Sequence, residues 1–219
     1  PVEEMFAGVK QKNPDVLVHC DCVQGFGKIL FSLNRIKADM VTMSSHKIHG
    51  PKGCGAIYVR EGVNLRPLCF GGSQESRVRP GTENVPGIAA FGHASLKALR
   101  DIRENWEHVK ELNLYLRDCL RQMEDVVINS PSGAVPYVLN ISVLPFATED
   151  LLHEMRMRGI YLSGSSACEK GARSHVIRAM GIEGPRADSV VRIGLGKKNT
   201  REEVTVLVET LNELIKRGK

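Results

Sequence analysis

Apolar residues fall into short continuous runs in the first half of the chain and into helix-spaced stripes in the second. Residues 15–20 (DVLVHC), 39–44 (DMVTMS) and 55–60 (GAIYVR) are short apolar runs bounded by turn residues, and residues 65–70 form a fourth candidate. Such runs predict buried strands of a mostly parallel sheet. Ahead of them Val2, Met5, Phe6 and Val9 recur at helical spacing, and Pro1 suits a first helical turn, so the sequence reads as beginning inside a domain. Gly- and Pro-rich turns, notably HGPKG and FGGSQESRVRPGTENVPG, separate the runs. Strands that end in such loops are how open α/β sheets build ligand sites.

Residues 85–123 are rich in Ala, Leu, Glu, Lys and Arg and predict two helices rather than one. Residues 136–143 (PYVLNISV) then read as a strand. Thr148 is expected to cap a helix that Gly159 ends, followed by a short strand over 160–162 and the small-residue loop SGSSACEKGARS. A short helix over 175–180 and a strand over 190–195 come next. Thr200 and Glu203 have the spacing of a capping box, ahead of an apolar stripe of Val204, Leu207, Val208, Leu211, Leu214 and Ile215. The division this predicts is residues 1–98 for an α/β part and 99–219 for a linker helix with a small α+β domain, a usual domain size.

Composition narrows the function classes. At 219 residues, 42% hydrophobic and 25% charged, the chain is an ordinary globular one. It has no apolar run long enough to cross a bilayer and no charged-then-apolar leader at its start, which makes the cytoplasm the expected compartment. The net charge of +5 is spread among acids and accompanied by no nucleic-acid motif, so it suits small anions rather than nucleic acid. Cysteines stand at 20, 22, 54, 69, 119 and 168, none in paired zinc spacing, so no metal site and no disulfide framework are expected. Most should pack as small hydrophobes.

Four places carry possible chemistry. Lys47 follows a predicted strand in SSHKIHGPKG, where an amine can form a Schiff base with an aldehyde cofactor; Ser44 and His46 beside it can bind a phosphate, while the alternative is a solvated loop lysine. HGPKG lacks Walker A spacing, so a nucleotide loop is not supported. Asp21 ends a strand with Gln24 three residues on, and can pair with a protonated pyridine nitrogen or simply form a turn. Cys168, with Lys170 and Arg173 close behind, is either a thiolate nucleophile or a small buried side chain. Arg192, in the apolar run SVVRIGLG, requires a partner, either a substrate carboxylate or a structural acid.

The stretches HCDCVQGFGK, MSSHKIHGPKGCGAIYVR, FGGSQESRVRPGTENVPGIAAFG, YLSGSSAC and VVRIGLGKKNTREEV, in this order and spacing, resemble the NifS-like cysteine desulfurases and selenocysteine lyases. These are class V aminotransferases, pyridoxal 5'-phosphate (PLP) enzymes of fold type I. The resemblance implies an α/β fold made of the C-terminal part of the fold-type I large domain (mixed, mostly parallel sheet) and a small α+β domain. It implies that Lys47 carries the cofactor and is catalytic with His46 and Cys168. Asp21 would face the ring nitrogen, Gln24 the ring hydroxyl, and Ser44 and His46 the phosphate. Thr82 would reach the phosphate of a neighbouring subunit, which implies a homodimer. Arg192 would bind the carboxylate of L-cysteine, and Cys168 would take its sulfur as a persulfide for a sulfur-acceptor protein such as an iron–sulfur scaffold. Family chains are longer at the N-terminus, where a ring-stacking histidine and a further phosphate loop reside, and Glu169 replaces a commoner small polar residue. A selenocysteine lyase, or an inactive C-terminal portion that acts only by binding partners, are the alternatives.

Overall fold

The computed structural model of the chain describes residues 1–164 and 175–218, which fall into two compact units, Pro1–Arg103 and Glu104–Lys219. In the first unit, helix α1 (Val2–Lys12) precedes strand β1 (His19–Asp21), a short helix α2 (Leu33–Ile36) and strand β2 (Met40–Ser44). A 3₁₀ turn (Ser45–Ile48) leads to strand β3 (Gly55–Val59), and a long loop leads to helix α3 (Val85–Arg100). The sheet order is β1-β2-β3. β1 and β2 are parallel, with Asp21 opposite Thr42, whereas β2 and β3 are antiparallel.

Alternation places Cys20, Val41 and Met43 on one face of this sheet, over Ile36, Ala38 and Phe6. His19, Asp21, Thr42 and Ser44 share the other face, and His19 Nε2 lies 3.1 Å from Thr42 Oγ1 there. At the base of β2 the fully buried Asp39 carboxylate accepts the Val18 N–H at 2.7 Å and pairs with Lys10 at 2.8 Å and with Arg60. Burial alone would raise this carboxyl, but the Lys10 ammonium, the Val18 N–H and the Arg60 guanidinium outweigh it and hold Asp39 below the ordinary aspartate range.

Helix α4 (Ile102–Leu120) runs into the second unit, which continues with strands β4 (Val126–Ile128) and β5 (Val138–Val143) and helix α5 (Thr148–Met157). Short helices α6 (His175–Ala179) and α7 (Gly184–Asp188), strand β6 (Val190–Gly194) and helix α8 (Arg201–Gly218) complete it. The sheet is antiparallel throughout, in the order β4-β5-β6. Leu139, Ile141 and Val143 of β5 alternate inward, against Leu116 and Leu120 of α4, Leu151 and Met155 of α5 and the predicted α8 stripe. Burying each such side chain stabilises by about 1.5–3 kcal/mol. The capping box is present: Thr200 Oγ1 accepts the Glu203 N–H at 3.3 Å, and Glu203 Oε2 accepts the Thr200 N–H at 3.1 Å.

Several sequence expectations change. The predicted helix over 85–123 divides at Asp101, as expected for two helices. Residues 65–70 are not a strand: Leu68 and Phe70 are 99% and 90% exposed. Residues 160–162 form no strand either; a single bridge joins Ser163 to Arg192. Thr148 is not the cap of α5, which begins after Ala147. Its hydroxyl lies 3.0 and 2.9 Å from the carbonyls of Asp188 and Val190 and ties α5 to the start of β6 instead. Among the described residues no helix is long and apolar enough to cross a membrane.

Candidate active site

Two parallel strands ending side by side create the candidate site. β1 ends at Asp21 and β2 at Ser44, on the same face and at the same edge of the sheet, the edge where open α/β sheets bind ligands. Past Asp21 the chain winds tightly. Phe26 N–H donates to Cys22 O at 2.7 Å and Ile29 N–H to Gly25 O at 2.9 Å. Asp21 Oδ1 accepts the Val23 N–H at 2.9 Å, which makes Asp21 a turn former and leaves its exposed carboxylate oriented by its own backbone. The Phe26 ring meets Phe91 of α3 edge-on, centroids 6.1 Å apart.

Past Ser44 the 3₁₀ turn carries His46 and Lys47. Ser44 Oγ and His46 Nδ1 share a 2.7 Å hydrogen bond, so a hydroxyl and an imidazole stand as one polar pair at the strand end. Ser45 is buried beneath them, and Gly50 closes the turn by donating its N–H to Ser45 O at 3.0 Å. A Cβ at Gly50 would drive into the Ser45 hydroxyl. His49 takes the left-handed conformation between them, with φ +67°.

The two turns touch through Gly27. It has φ +71°, and a Cβ there would stand 2.7 Å from Ile48 Cγ2 and 3.0 Å from Ala98 Cβ. The Asp21–Gln24 turn is therefore wedged between the Lys47 turn and α3. Lys28 Nζ donates to Gln24 Oε1 at 3.2 Å, and burial first, then the Lys47 charge, lowers the Lys28 ammonium below the ordinary lysine value. Beneath the site Cys22 lies 3.5 Å from Cys20, sulfur to sulfur, and burial together with that neighbour pushes its thiol up to about 12. It is protonated at neutral pH and acts as packing.

The first unit thus brings together Asp21, Gln24, Ser44, His46 and Lys47. Thr82 is exposed on the segment that enters α3, where Asn84 caps the helix by accepting the Gly87 N–H. Arg192 belongs to the second unit, half-buried in β6 opposite Asn140. That face of the sheet is polar: Asn129 donates to Asn140 and Ser142 at 2.8 and 2.9 Å and accepts from Arg186 of α7 at 2.8 Å. Cys168 lies outside the described residues. Sequence reasoning passed over Lys28 and Gly27; the signal for Lys28 was its distance of four residues, one turn, from Gln24.

Among the described residues no group of three or more His, Cys, Asp and Glu side chains is placed to hold a metal ion. The site offers an amine, a carboxylate, a carboxamide and a hydroxyl–imidazole pair. An amine of this kind can react with an aldehyde, a carboxylate can pair with a protonated ring nitrogen, and a hydroxyl–imidazole pair can bind a phosphate.

Comparison with known proteins identifies the family to which this chain is similar. The family described as Aminotransferase class-V matches residues 1–207. The chain is 33% identical over 220 residues to the cysteine desulfurase IscS of Methanosarcina thermophila, covering 99% of this chain and 54% of the relative. It is 37% identical over 225 residues to a cysteine desulfurase of Nostoc sp., covering 99% and 55%. A solved structure named a NifS-like protein superposes with a TM-score of 0.90 at 37% identity, covering 99% of this chain and 57% of the other. The chain spans about half the length of the curated relatives it matches. The fold class read from the sequence stands: a mixed α/β chain on the NifS-like, fold-type I pattern, with one parallel and one antiparallel pairing in its first sheet. The match over residues 1–207 and this shared fold place the chain in the aminotransferase class-V family.

Proposed function

We propose that this chain carries the lysine-side half of the site of a PLP-dependent cysteine desulfurase, which converts L-cysteine to L-alanine and delivers the sulfur for iron–sulfur cluster or other thio-cofactor synthesis. The observation that carries the reading is the convergence of Asp21, Gln24, Ser44, His46 and Lys47 at the ends of two parallel strands. The donor set fits PLP group by group: Lys47 for the aldehyde, the Asp21 carboxylate for the ring nitrogen, Gln24 for the ring hydroxyl, and Ser44 with His46 for the phosphate. When bound, PLP supplies an electron sink for the charge that develops at the substrate carbon.

The chain's own groups have distinct duties. Asp21 keeps one carboxylate oxygen on the Val23 N–H, and its carboxylate favours a protonated partner. The Lys47 amine would move a proton at the substrate carbon. Arg192 grips the substrate carboxylate with its planar guanidinium. The Cys168 thiolate would attack the substrate sulfur; an S–S bond forms as the C–S bond breaks, its electron pair stays with the substrate carbon, which takes up a proton, and alanine leaves a persulfide on Cys168. Thr82 reaches the phosphate of a neighbouring subunit in a homodimer, and the persulfide passes to an acceptor protein.

The test is a titration of the purified chain with PLP, followed by L-cysteine and a thiol reductant. A visible absorbance band from the bound cofactor and release of alanine with sulfide are expected, and Lys47→Ala should abolish both. A band and turnover that survive Lys47→Ala would remove Lys47 from the chemistry.

A further inference from the structure

We propose that Lys28 is a positioning residue for the cofactor site, holding the Gln24 carboxamide with its oxygen turned back so that its NH2 faces the ring. The proposal rests on the PLP reading of the site. A carboxamide presents an acceptor at one end and a donor at the other, in nearly the same shape. Only the NH2 end can serve a ring oxygen, which is an acceptor when ionised. Gln24 is exposed and lies four residues before Lys28. Lys28 makes the choice: an ammonium has donors only, and its Nζ stands 3.2 Å from Gln24 Oε1. The NH2 is thereby left for the ligand.

The fold holds Lys28 in place for this task. The turn over residues 22–29 is fixed at its start by the Cys22 N–H on Thr42 O at 2.9 Å, and in its middle by the Phe26–Phe91 contact. Gly27, immediately before Lys28, is pressed between Ile48 and Ala98 with no room for a side chain. Ile48 is the residue after Lys47, so the Gln24–Lys28 segment packs directly against the Lys47 turn. The depressed Lys28 ammonium, half-buried and within the field of Lys47, agrees with that proximity.

Two measurements test the proposal. In the purified chain without PLP, the Gln24 side-chain NH2 resonances should shift as pH rises through the Lys28 titration. Lys28→Met should abolish that pH profile while backbone resonances of residues 22–29 stay in place, and Lys28→Arg should restore the low-pH resonance position. A Gln24 profile unchanged by Lys28→Met overturns the proposal. In PLP titrations followed by absorbance, Lys28→Met and Gln24→Met should each weaken cofactor binding about five- to tenfold, as loss of a charge-assisted but partly exposed hydrogen bond implies. The double variant should be no weaker than either single one, because the two residues act as a unit. Multiplying losses would also overturn it. If wild type and every variant fail alike to bind PLP, the cofactor reading itself falls, and the positioning claim with it, whatever the resonances show about the Lys28–Gln24 bond.

Discussion

Among the described residues, the first sheet rests on a cluster of four buried residues, Cys22, Ile36, Ala38 and Val41, whereas the second rests on eighteen. The helices follow suit. α1 buries no residue, and α3 buries only Gly87 and Phe91 while Val85, Ile88, Leu96 and Leu99 stay exposed. α8 instead sinks Val204, Leu207, Leu211, Leu214 and Ile215 into one core. The second unit is held by area removed from water. The first is held to a larger degree by specific ties: the Asp39 ion cluster, glycines that admit close approach, and hydrogen-bonded turns. The candidate cofactor-binding residues lie on the unit with the smaller core, whereas Arg192 lies on the other.

The largest effect that breaks this comparison is expected in the second unit. Ile141→Ala, at a fully buried position of β5, should cost about 4 kcal/mol, the lost transfer energy plus the cavity left behind. Denaturant unfolding followed by the fluorescence of Trp106, which sits in that unit 6.0 Å from the Tyr137 ring, measures it. PLP binding at Lys47 should be little altered where the variant is folded.

The matching change in the first unit is Asp39→Asn. It should cost about 3 kcal/mol, the lower end for a broken buried ion pair because Arg60 remains half-exposed. It also carries a pH signature. The folded Asp39 carboxyl lies below its unfolded value, so its contribution is complete above about pH 4 and is lost as pH falls through the folded value. Hydrogen exchange of the β2 amides should therefore show wild type weakening toward acid and Asp39→Asn lacking that component. An equal acid response in both proteins would remove Asp39 from the account.

The smallest effect tests a local device. Thr200→Ala removes one half of the α8 capping box and should cost about 1 kcal/mol, read by the same Trp106 unfolding curve.

What the sequence disclosed follows the same contrast. α4 and α8 were legible because long amphipathic helices repeat their signal over many turns, and β2 and β3 because their apolar runs end in glycine turns. β4 escaped notice because three residues cannot display a period, and α7 because GPRAD has no apolar face; a polar network holds it to β5. The strand expected over 65–70 failed because apolar composition there is not matched by a partner strand. At the site, Lys47, Asp21 and Gln24 were recognisable only by the motifs around them, since each residue alone is commonplace. Lys28 was hidden because its task depends on a turn whose geometry no periodicity announces.

The five residues of β2 carry a locked carboxylate just before one end and the Ser44–His46–Lys47 turn at the other. A beam clamped at its base can bear many fittings at its tip. Substitutions around Ser44 and His46 leave the clamp untouched, so this end of the strand is free to acquire new ligands without first surrendering its foundation. Diversification within such a scaffold should accordingly concentrate at the tip, with the residues around Asp39 changing last.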